Sequence, residues 1–148
     1  MSYPGDVHHA PPDPSLATRL DALLPELARR LPGLELVYLF GSHAGGQVHA
    51  GSDVDLAVLA LTPITPLARY DLAQDLAHAL GRDVDLVDLA SASTVMKKEV
   101  VANGRLLFSR APSSRAAFEG RVLSEYARLN EERRPVLERI AREHRIHG

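Results

Sequence analysis

Cysteine is absent from the 148-residue chain, which excludes a disulfide scaffold and any thiolate metal site. No apolar run reaches the roughly 20 residues of a membrane-spanning helix. The N-terminus also lacks the basic-then-apolar order of a secretory signal, so a cytoplasmic location is expected. Nor is there a surplus of positive charge. The 17 Lys and Arg against 19 Asp and Glu leave a net −2, which argues against general nucleic-acid binding. The charge is uneven, however: residues 1–112 hold 9 basic against 13 acidic side chains, and residues 113–148 hold 8 against 6. A basic appendage thus follows an acidic body. A chain of this length, 45% hydrophobic and 24% charged, suits one soluble domain with a single core.

The opening MSYPGDVHHAPPDP is proline-rich and aperiodic, and reads as a disordered lead-in over residues 1–14. His8 and His9 have no third ligand nearby and read as a solvated pair. Ser15 is expected to N-cap a helix carrying Leu16, Leu20, Leu23, Leu24, Leu27 and Leu31 at helical spacing, which Pro25 should kink or split. LELVYLF has the length of a buried strand, and DVDLAVLAL reads as a second. Thr65-Pro66 opens a helix with Leu72, Leu76 and Leu80 on its inner face, ended by Gly81. RDVDLVDL is a third strand, SASTVMKKEVVANG a helix closed by Gly104, and RLLFS a fourth strand. The helix after residue 65 can serve as a crossover, which makes the second and third strands parallel neighbours. This order predicts an α/β domain over 15–112 with a small mixed sheet. Residues 113–148 form a helical extension, as two helices or one kinked at Pro135. Its stripe of Phe118, Val122, Tyr126 and Leu129, continued by Val136, Leu137, Ile140 and Ala141, fits packing on the sheet and partner binding equally.

Two like charges, Asp53 and Asp55, stand where the second strand enters the core. Side chains alternate along a strand, so both point the same way, roughly 6.6 Å apart. Carboxylates sharing one partly buried face repel each other, unless a proton or a cation relieves them. Such a pair suits Mg²⁺, which takes oxygen ligands and shares its coordination with substrate phosphates. Aspartates that cap the loop's N–H groups would leave the same trace at a strand start. Two further features favour the metal. Gly41-Ser42 ends the first strand, where exposed backbone N–H groups and the serine hydroxyl can cradle phosphate. DVDLVDL at 83–89 nearly repeats DVDLAVL at 53–59, so a third carboxylate can face the pair from the neighbouring strand. Asp85, deeper in the apolar run, is the preferred residue; Asp83 shares its face and is the alternative, and Asp88 reads as a strand-end surface residue.

Gly41-Ser42, ten residues, then Asp53-Val54-Asp55 resembles the GS-x10-DxD signature of minimal nucleotidyltransferases in the DNA polymerase β superfamily. LFGS, SDVDLAVL, VDLVDL and ANGRLLF together resemble the MntA branch, antitoxins paired with HEPN-domain HepT toxin RNases. The resemblance spans about residues 16–110. It implies the polymerase β palm-like fold, and an antitoxin adenylyltransferase moving AMP from ATP to a tyrosine of its toxin, with which it forms a hetero-oligomer. By the same resemblance Gly41 and Ser42 hold the β- and γ-phosphates, and Asp53, Asp55 and Asp85 coordinate two Mg²⁺ ions. Asp85 also helps deprotonate the acceptor hydroxyl. No membrane and no direct nucleic-acid contact are implied. This chain reads GSHAGGQ where relatives often carry GSRARGE, so His43 and Gly45 replace two arginines and phosphate-neutralising charge is reduced. Two other functions share these motifs: an antitoxin acting by binding alone, and an aminoglycoside-type small-molecule nucleotidyltransferase. The latter usually has a larger second domain than 36 residues provide.

Overall fold

The computed structural model describes residues 14–41 and 53–147. Among them are four strands, β1 (Leu34–Phe40), β2 (Val54–Ala60), β3 (Val84–Asp88) and β4 (Arg105–Ser109). There are also four helices, α1 (Pro14–Arg30), α2 (Pro66–Leu80), α3 (Thr94–Asn103) and α4 (Pro112–His147). β1 is buried at every position but Glu35, and a strand apolar on both faces needs partners on both edges and a layer on each face. It has them. The sheet order is β3-β2-β1-β4, with β1 antiparallel to both neighbours and β3 parallel to β2, as the crossover through α2 predicts.

Alternation along the strands divides the core in two. Val37, Leu39, Val54, Leu56, Val58 and Leu86 face the leucines of α1 and α2. Leu36, Tyr38, Phe40 and Ala57 face Val100 of α3 and Phe118 and Val122 of α4. The caps of α2 are those expected: the Thr65 hydroxyl oxygen accepts from Ala68 N–H at 3.1 Å, and Gly81 takes the left-handed φ of 68°.

One expectation about helices is corrected, and at two prolines the structure selects between the alternatives. α1 begins at Pro14, so Ser15 lies within its first turn, not at its cap; residues 1–13 of the expected lead-in lie outside the described residues. Proline suits a first helical position, where its missing N–H removes no bond and its φ is preset. α1 also runs unbroken through Pro25. An interior proline costs about 3 kcal/mol. Leu16 and Leu20 before it and Leu27 and Leu31 after it are all buried, and each contributes roughly 1.5–3 kcal/mol, so keeping one continuous face outweighs the local penalty. Of the two forms expected for the extension, the single helix is found, 36 residues long with Pro135 inside it. Opposite charges spaced four apart beyond that proline, Glu138/Arg142 and Arg139/Glu143, favour continued helix.

The front half of α4 is bolted to the sheet and the back half is not. Ser114 Oγ donates to Glu35 Oε2 at 2.7 Å, which explains the one polar residue in β1. Tyr38, fully buried, donates its hydroxyl to Glu119 Oε2 at 2.6 Å, and Arg115 Nε donates to the same oxygen at 3.0 Å. Lys97 Nζ of α3 reaches Glu125 Oε2 at 3.3 Å. From residue 131 to 144 every side chain is exposed, including Val136, Leu137 and Ile140.

Candidate active site

Because β1 runs against β2 and β3, the end of β1 meets the beginnings of β2 and β3 at one end of the sheet. The pairing puts Phe40 opposite Asp55, and Asp55 opposite Asp85. The Asp55 and Asp85 backbones therefore lie on neighbouring strands about 4.8 Å apart, both side chains on the face that α3 and α4 cover further along. Burial follows that geometry. Tyr38 and Ala57 are fully buried, Asp55 is half-buried and Asp85 is exposed. Asp53 lies one residue before β2 and is exposed.

Of the two candidates for the third carboxylate, the register sets Asp85 beside Asp55. Asp83 lies one residue before β3, and its carbonyl accepts the Val54 N–H at 2.8 Å. Asp88 shapes the turn after β3, where its carboxylate accepts Ala90 N–H at 3.1 Å and the Ser91 hydroxyl at 3.3 Å.

Gly41 follows β1 with φ +73°, in the left-handed region. A Cβ added there would overlap Asp55 Oδ2 and come within 3.1 Å of its Cγ. Glycine is thus required twice over, for the turn and for backbone to pass directly against the carboxylate. Ser42, with His43 and Gly45, lies outside the described residues, as does the rest of the loop up to residue 52.

Among the described residues no three His, Asp or Glu side chains are gathered into a metal-holding cluster. Carboxylates at positions 53, 55 and 85 nevertheless form an all-oxygen donor set at one sheet end, with a glycine cradle beside Asp55. That set fits Mg²⁺. The ion keeps several waters and shares its coordination with phosphate oxygens, so it does not depend on three protein ligands assembled in advance.

Residues that carried no motif also shape this region. Tyr38 and Glu119 tie α4 across the buried part of the same face. Burial, then the Glu119 carboxylate, raises the Tyr38 pKa well above the ordinary tyrosine value. A polar-tipped ring between Leu36 and Phe40 on one face of a strand was the only sequence signal for that link. Along the outer side of β3 runs a cleft of about 250 Å³, lined by Asp85 and by Arg69 and Tyr70 of α2. Nothing in the spacing of Arg69 or Tyr70 marks them. Among the described residues no helix is long and apolar enough to cross a membrane.

Known proteins are similar to this chain in sequence and fold. The family model described as "Polymerase beta, Nucleotidyltransferase" matches residues 24–113. The protein adenylyltransferase MntA of Shewanella oneidensis is 43% identical over 114 residues, covering 77% of this chain and 81% of that protein. Among solved structures, a toxin–antitoxin with AMP-PNP superposes with a TM-score of 0.74 at 41% identity, over 82% of this chain and 98% of its own. A complex of tri-AMPylated Shewanella oneidensis HEPN toxin with MNT antitoxin gives 0.70 at 37% identity, over 84% and 98%. On the fold, the strand-end geometry and these matches together, the chain belongs to the polymerase β nucleotidyltransferase family.

Proposed function

We propose that the protein is an antitoxin adenylyltransferase that moves AMP from ATP to a tyrosine of a partner HEPN-family RNase toxin of the HepT type and so silences it. The toxin and antitoxin then form a hetero-oligomer. The observation that carries the reading is the Asp55–Asp85 register with the Gly41 backbone against the Asp55 carboxylate. It supports a reading in which Gly41 admits the phosphates, Asp55 binds a cation and Asp85 accepts the proton.

The acceptor hydroxyl attacks the α-phosphorus of ATP in line. An oxygen–phosphorus bond to the acceptor forms, the bond to the β-phosphate oxygen breaks, and pyrophosphate leaves. Asp85, exposed at the sheet end, receives the hydroxyl proton, a general-base role worth about 10²–10⁴ in rate. Gly41 lets the triphosphate approach the main chain, and Ser42 adds a hydroxyl donor to the β- and γ-phosphates. Asp53, Asp55 and Asp85 are the residues that would hold two Mg²⁺ ions, whose chemistry is to neutralise triphosphate charge and polarise the reacting phosphoryl group.

Residues 15–112 are assigned as the catalytic domain and 113–148 as an extension whose exposed, basic second half contributes to toxin docking. The need for ATP and an RNase partner assigns the reaction to the cytoplasm.

The test is direct. The protein, its toxin, ATP and Mg²⁺ are incubated together and the toxin is weighed by intact-mass spectrometry. AMP increments on the toxin that disappear with Asp53→Ala and with Asp55→Ala are expected. A toxin that is bound and inhibited at unchanged mass would establish antitoxicity by binding alone.

A further inference from the structure

The face of the sheet that carries Asp55 and Asp85 has a second opening. Asp55, Ala57 and Leu59 alternate onto that face along β2, as Asp85, Val87 and Leu89 do along β3 and just beyond it. Leu59 and Leu89 therefore lie roughly 13 Å from the carboxylates, toward the opposite end of the strands. There a cavity of about 240 Å³ opens between the sheet, α3 and α4. Its inner wall is apolar: Leu89, Phe118 and Val122 are buried, and Leu59 packs beside them. Charged side chains, Lys97, Arg121 and Glu125, line the rest.

Small-molecule sites measure roughly 300–1,000 Å³, so this cavity is undersized for a nucleotide or cofactor and suits a single large apolar side chain. An anchor of that kind, desolvated in a pocket, is how protein interfaces concentrate their affinity. The helix beyond points the same way. Val136 and Ile140 stand exposed on α4, each about five helical turns, or about 27 Å, past its counterpart Phe118 or Val122. The face of α4 that walls the cavity thus stays apolar where the domain no longer covers it. Electrostatics choose the neighbour of the anchor. Lys97 Nζ donates to Glu125 Oε2 at 3.3 Å, so those two charges offset each other. Arg121 is exposed and has no acidic partner among the described residues. A surface arginine by itself signifies only solvation; this one borders an apolar hollow, and a carboxylate beside the anchor complements it.

We infer that this cavity anchors the partner toxin, taking one large apolar side chain whose neighbouring Asp or Glu pairs with Arg121. The inference rests on the toxin partner of the reading above and adds where that partner is gripped. Anchoring here leaves the carboxylate end of the same face to ATP and the acceptor tyrosine.

Ala90 also lines the cavity and is exposed, so Ala90→Phe fills the opening without disturbing the core. Toxin affinity is measured by titration calorimetry for wild type, Ala90→Phe, Arg121→Glu and Arg121→Lys. Ala90→Phe and Arg121→Glu each weaken the complex about tenfold or more. The loss with Arg121→Glu shrinks as salt is raised, and Arg121→Lys stays near wild type. Melting temperature and affinity for ATP hold at wild-type values in all the variants. Unchanged toxin affinity in Ala90→Phe and Arg121→Glu overturns the inference, as does an equal loss of ATP affinity. Antitoxin that sediments alone as a dimer in the wild type and as a monomer in both variants assigns the cavity to a second copy, and overturns it too. A wild-type complex that forms without AMP transfer fails the transferase reading and leaves the docking result standing.

Discussion

Gly41 and Asp55 are coupled by contact. Any side chain at 41 must both adopt φ +73° and displace the Asp55 carboxylate. The left-handed conformation alone costs a non-glycine residue about 1–2 kcal/mol. Gly41→Ala is therefore expected to lower unfolding free energy by that amount and to suppress AMP transfer more deeply than this modest destabilisation accounts for, because it moves Asp55. Urea unfolding and the toxin mass assay, run on the same preparation, check both halves. Tyr38 makes a different prediction. The folded state keeps its hydroxyl protonated, through burial and the bond to Glu119, while the unfolded chain releases that proton near the ordinary value of 10.0. Tyr38 thus contributes fully below about pH 10, and its contribution falls as pH rises from there toward the raised folded value, by up to about 1.4 kcal/mol per pH unit. Tyr38→Phe is expected to cost about 1–2 kcal/mol at neutral pH, by leaving Glu119 without that donor. This gap to wild type should close progressively above about pH 10 in pH-dependent unfolding curves. A gap that widened with alkalinity would contradict the assignment.

At the scale of elements, helices show where local rules end. Thr65, Pro66 and Gly81 bound α2 where sequence places them, because a cap is a contact between residues three or four apart. Pro25 in α1 and Pro135 in α4 do not break their helices. In α1 the reason lies in the leucines that the helix lays on α2 and the sheet. Pro25 is exposed, so its only effects are the missing hydrogen bond and the crowded preceding turn. Pro25→Ala should consequently stabilise the protein, by about 1–3 kcal/mol, seen as a raised melting temperature with transfer activity unchanged. Gly104 closes α3 for a reason that spacing does not reveal. Its φ of −78° is ordinary, but a Cβ would overlap the Val100 carbonyl oxygen.

At the scale of the molecule, burial is confined to the front part of α4. Phe118 and Val122 are buried and Glu119 and Glu125 make links to the sheet and α3, whereas residues 131–144 contact solvent throughout. Truncation after Asn130 should leave the melting temperature within a degree or two, since it removes little buried surface, but should weaken toxin binding measured by titration calorimetry. An equally tight complex would confine docking to the remainder of the protein.

Strand number, the parallel β2–β3 pair, the α2 caps and the inward leucines were all legible in the amino-acid order, because each depends on alternation, helical period or a cap within a few residues. The entry of Asp55 into the sheet one residue after Val54 was legible for the same reason, whereas Asp53 lies just before the strand. Choosing Asp85 over Asp83 as the neighbour of Asp55 rested on depth in an apolar run, and its placement depends on register, a relation between residues thirty positions apart. Beyond the reach of pattern were the choice between a continuous and a divided helix at Pro25 and Pro135, the Tyr38–Glu119 link, and the cleft that Arg69 and Tyr70 line with β3. These arise from surfaces meeting in three dimensions, where burial summed over a whole face overrides the preference of any single residue.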